Sequence, residues 1–112
     1  MSVLRIRALL ATFLLSGCPS RAELVARDLT TLCDFANAQV SQKGLTNESY
    51  VDFVTRGQAL KLSSLDVVEA WAAFSNAPVE FRYGFIQEAA ERNGLKRWSC
   101  DSLKKLSLVP GA

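Results

Sequence analysis

One hundred and twelve residues, 49% hydrophobic and 21% charged, provide for one small domain. That length excludes a Rossmann enzyme, a barrel or a kinase. Six Gly and three Pro are too few for a turn-rich sandwich, and the apolar content is too high for a disordered chain. There is no histidine, which removes the commonest general base and the commonest metal ligand.

The N-terminus reads as an export signal. Arg5 and Arg7 form a basic stretch without acids, and residues 8–15 (ALLATFLL) form an apolar run too short to span a bilayer. Leu15-Ser16-Gly17-Cys18 follows directly and resembles the lipobox of bacterial lipoproteins. The resemblance implies that residues 1–17 are a signal peptide and that residues 18–22 are a lipidated N-terminus with a short tether. The Cys18 thiol would carry a diacylglycerol and its amine a third chain, and two or more chains make attachment stable. No aspartate follows Cys18, so nothing argues for inner-membrane retention. The expected location is the periplasmic face of the outer membrane. A rival site is Ser20-Arg21-Ala22, an ordinary small-x-small cleavage pattern behind Pro19. It would release a soluble periplasmic or secreted protein starting at Glu23. A third reading is an uncleaved apolar helix on a cytosolic protein.

Three cysteines are an odd count. Removing or lipidating Cys18 leaves Cys33 and Cys100, and an exported small chain with two cysteines suggests one disulfide. The alternative is two buried thiols. The spacing excludes a redox CxxC pair, and two cysteines without histidine cannot make a zinc site. Without Arg5 and Arg7, the chain has eleven Lys and Arg against eleven Asp and Glu. A neutral mature surface lacks the field that nucleic-acid binding needs. Lys96, Arg97, Lys104 and Lys105 cluster in sequence; a solvated helix end explains them, with anionic-lipid contact as the alternative.

Helical periodicity then runs through the mature chain. A first helix spans about residues 21–43, with Val25, Leu29, Leu32, Ala36 and Val40 on one face, Cys33 beside them and Gly44 as its C-terminal stop. Thr46 or Asn47 caps a second helix reaching about residue 60, with Tyr50, Phe53, Val54 and Gly57 inward. Ser63 and Asp66 have the capping-box spacing for a third helix to about residue 75, burying Leu65, Val68, Trp71 and Ala72. A fourth spans about residues 78–93. Pro78 sits in its first turn, and Val79, Tyr83, Ile86 and Ala90 form a stripe that Phe81 and Phe85 widen. Gly94 ends it, with Leu95 placed for the contact that accompanies such a cap. Ser99 or Asp101 caps a last helix with Cys100, Leu103 and Leu106 inward. The predicted fold is all-α, a four- or five-helix bundle over residues 23–106 with one disulfide, Cys33–Cys100, and a frayed tail over residues 107–112.

Chemistry is scarce. No acyl-transfer triad can form without histidine, Cys33 lacks an imidazole activator, and Glu88 with Glu91 reads as solvated surface. No catalytic residue, cofactor or metal is expected, and the protein is read as a non-enzyme. The remaining reading is a binding or assembly factor held at a membrane by its lipid, with a protein or peptide partner and no nucleic acid. The alternative is an inhibitor or immunity protein that blocks an extracytoplasmic enzyme. The outline of lipobox, helical bundle and disulfide is similar, in architecture alone, to the helical pilotins that escort secretin subunits. That likeness implies an amphipathic partner segment in a groove between helices. Tyr50, Phe53, Phe81, Phe85 and Trp98 are the candidates to line it, with Trp98 also a candidate lid over the disulfide.

Overall fold

Five helices follow one another in the computed structural model, which describes residues 18–111: α1 (Arg21–Lys43), α2 (Asn47–Gly57), α3 (Leu65–Asn76), α4 (Val79–Arg92) and α5 (Asp101–Ser107). There is no strand among the described residues. Residues 1–17, expected to be a signal peptide, lie outside them.

The long helix α1 is the spine. The Ser20 side chain accepts the Glu23 N–H at its start, and the Gly44 N–H donates to the Val40 carbonyl at its end, with Gly44 at a φ of 74°. Val25, Leu29, Leu32 and Ala36 are fully buried. The predicted disulfide is present: Cys33 on α1 is bonded to Cys100 at the head of α5, with Cα atoms 5.8 Å apart and a sequence separation of 67. Thr46 caps α2 by accepting the Ser49 N–H. A row of aromatic rings then crosses the core. Phe35 stacks on Phe53 with centroids 4.9 Å apart, Phe53 meets Trp71 edge-on at 5.4 Å, and Trp71 stacks on Phe74 at 5.2 Å. Gly57 belongs to this row because a Cβ there would fall on the Trp71 ring. The Trp71 indole N–H donates to the Gly57 carbonyl at 3.1 Å.

Several expectations are corrected. Helix α2 ends at Gly57, not near residue 60. Helix α3 is capped neither by Ser63 nor by a box with Asp66: its N-cap is Ser64, whose side chain makes no capping bond. The cap comes instead from α1, where the buried Asp28 carboxylate accepts the N–H groups of Ser63 and Ser64. The buried face of α3 is Val67, Ala70, Trp71 and Phe74, while Leu65, Val68 and Ala72 are exposed. Both stripes are apolar and share Trp71. The one that wins carries Phe74, which gains the stack on Trp71. At α5 the N-cap is Cys100, not Ser99 or Asp101.

The tail does not fray over residues 107–111. Val109 is buried, and the Arg82 guanidinium donates to the carbonyls of Ser107, Val109 and Pro110. Gly111, at a φ of 77°, lies flat against the Tyr50 ring, where a Cβ would collide. Helix α4 closes as expected: Gly94 has a φ of 80°, and the Leu95 N–H donates to the Ala90 carbonyl.

Candidate functional site

The five aromatic residues expected to line a groove are not brought together. Phe53 is fully buried between Phe35 and Trp71, so it belongs to the core. Tyr50 is 5% exposed, covered by Gly111 and by the Arg82 guanidinium 4.4 Å above its ring. Its hydroxyl is buried without a hydrogen-bond partner, and burial raises its pKa against the opposing pull of Arg82. Trp98 is half-buried and stacks on Tyr83, centroids 6.2 Å apart. The Tyr83 hydroxyl accepts the Cys100 N–H at 3.0 Å, and Gln87 donates to the Trp98 carbonyl. Trp98 therefore belongs to the wall beside the disulfide. Burial raises the Tyr83 pKa, and the Cys100 N–H works against that rise.

Phe81 and Phe85 remain, 58% and 38% exposed. They stand one turn apart on α4. At 3.6 residues per turn, each lies roughly 160° around the helix from Tyr83, so they face away from Trp98. Their helix is fixed to the core by Ile86, Ala89 and Ala90, all fully buried, and by Arg82. Glu88 and Glu91 are exposed on the same helix.

A shallow depression lies over the junction of α1 and α2, lined by Lys43, Asn47, Val51, Asp52 and Thr55. Its polar groups already bind one another. The buried Gln39 amide donates to the Asp52 carboxylate at 3.0 Å, Lys43 to the same oxygen at 2.9 Å and Arg56 at 3.4 Å. These donors, Lys43 foremost, hold the Asp52 pKa down to about 2. The cluster locks α1 to α2. Among the described residues, no group of three or more acidic, Cys or His side chains could hold a metal ion.

Three of the buried polar residues, Asp28, Gln39 and Arg82, escape a reading of polar side chains as surface. The period itself is the signal for them: each lies three or four residues from a fully buried apolar position on its helix. Cys18 is a free, exposed cysteine two residues ahead of the Ser20 cap. No helix among the described residues is long and apolar enough to cross a membrane. The disulfide is compatible with a location outside the cytoplasm. No family model, curated protein or solved structure matches the chain.

Proposed function

We propose that the protein is a small exported lipoprotein, attached through Cys18, that serves as a non-catalytic binding or assembly factor at the periplasmic face of a membrane. The observation that carries the reading is the Phe81–Phe85 pair. Two aromatic side chains one turn apart, exposed on a helix whose other side is fixed in the core, suit capture of an amphipathic protein segment. The start of α1 supports attachment at Cys18. Cleavage before Glu23 would remove the Ser20 cap and the Arg21–Asp66 ion pair at 2.8 Å, whereas a chain starting at Cys18 keeps both. Inhibition of an extracytoplasmic enzyme has less support, because the longer connections are tied down by Asp28 at Ser63 and Ser64 and by Tyr83 at Cys100.

Cross-linking in native membranes tests the reading. The wild-type chain captures a partner. Phe81→Ser/Phe85→Ser loses it with an unchanged melting temperature. Retained capture by the double variant refutes the assignment.

A further inference from the structure

One end of the bundle gathers features with no role in the core. The N-terminus of α1, the N-terminus of α3 and the C-terminus of α4 meet there. Asp66 accepts from Arg21 at 2.8 Å and from Asn93 at 2.9 Å, and Arg92 lines the same depression. Directly after Asn93, Lys96 and Arg97 line an adjoining depression beside Trp98. Leu65 at the head of α3 is 69% exposed, more than any other large apolar side chain among the described residues. Cys18 is three residues before Arg21, so their Cα atoms lie within about 11 Å even at full extension.

We infer that this end of the bundle is its bilayer-facing surface, where Arg21, Arg92, Lys96 and Arg97 contact anionic lipid headgroups and Leu65 enters the interface. The inference rests on the attachment at Cys18 proposed above. The tether of Pro19 and Ser20 is too short to present any other end of α1 to the membrane. Cations around an exposed leucine suit the headgroup boundary, where charge meets phosphate and the apolar group reaches the acyl chains. Asp66, the carboxylate at the centre of the patch, is already engaged by Arg21 and Asn93, and these two bonds lead in holding its pKa down. Glu23 and Glu91 in the same turns reduce the excess to one positive charge, and Glu69 and Glu88 stand one turn further from the bilayer, so the contact is weak and depends on the tether. Phe85 is seven residues before Arg92 on α4, or about 10 Å further from the bilayer along the helix axis. The partner-binding pair then points away from the lipid.

The test uses the chain starting at Cys18, which contains every core residue from Val25 to Val109. Cys18 is alkylated with a single-acyl maleimide, which gives a marginal, measurable anchor. Partitioning is measured on phosphatidylcholine vesicles with and without phosphatidylglycerol. About tenfold tighter binding to the anionic vesicles is expected at low salt. It should disappear at high salt and in Arg92→Gln/Lys96→Gln/Arg97→Gln, and persist in Lys104→Gln/Lys105→Gln on α5. Leu65→Asn should weaken binding to both vesicle types. Equal partitioning on the two vesicle types overturns the inference, as does a preference lost only with Lys104 and Lys105. Because the acyl chain is attached chemically, neither result depends on lipidation in cells. Labelling cells with a palmitate analogue, comparing wild type with Cys18→Ser, tests that attachment separately.

Discussion

The Asp28 carboxylate accepts the Ser64 N–H at 2.6 Å and thereby caps a helix that begins 36 residues later in the chain. Together with the Ser63 bond it joins α1 to the head of α3, beside the more exposed Arg21–Asp66 ion pair. Asp28→Leu leaves two backbone donors unsatisfied and should destabilise the fold by about 1–3 kcal/mol. Urea denaturation checks this, and an unchanged midpoint would mean that the connection is held elsewhere.

Gly57 and Trp71 should behave as one unit. Gly57→Ala forces a methyl group against the indole and should cost about 1–3 kcal/mol. Trp71→Ala opens a cavity and should cost about 3–5 kcal/mol. With the indole gone, the Gly57→Ala penalty should shrink by more than about 0.5 kcal/mol. Additive penalties in the double variant would show that the contact does not limit packing.

The Cys33–Cys100 bond closes most of the bundle. The chain-entropy relation for such a loop gives about 4 kcal/mol, a large share of the stability of so small a domain. Thiol titration of the unfolded, unreduced chain starting at Cys18, before any modification, should find one reactive cysteine. Reduction should lower the denaturation midpoint sharply.

Helix positions and the disulfide were legible in the sequence because the α1 stripe, Thr46, Pro78 and Gly94 are local signals. The buried face of α3 was not, because LDVVEAWAAFSN is apolar on both sides and only tertiary stacking chooses Phe74 over Leu65. Nor was the Asp28 cap, which depends on a contact 35 residues away at Ser63. Of the five candidate groove residues, Phe81 and Phe85 are exposed and Trp98 is half-buried. Aromatic content alone could not separate them from Tyr50 and Phe53, because the C-terminal segment that roofs Tyr50 has no periodic signature.

Arg82 holds that tail through its planar fork, with Ala77 as a further acceptor. Lysine cannot reproduce the fork. Arg82→Lys should free the last residues for carboxypeptidase while α1 to α4 stay folded. Equal resistance in both proteins would assign the tail's attachment to Val109 and Gly111 instead.

Acid should lower the stability of the protein in a defined window. Asp52 is held at about 2 in the fold, against an ordinary 3.8, so its contribution is present above about 4 and lost as pH falls towards 2. Asp66 is lowered in the same direction. Asp52→Asn should flatten the fall in melting temperature between about pH 4 and pH 2. A wild-type profile that is already flat there would refute the role of the cluster.

Because Cys33 pairs with Cys100, 67 residues on, the spine helix finds its covalent partner only after α2, α3 and α4 have been made. Helix α5, whose N-cap is that cysteine, also leads into the tail held by Arg82. Contacts of such long sequence separation slow closure. The covalent closure of the bundle is therefore a late event in folding, one that seals α1 against α5 after the helices between them are in place.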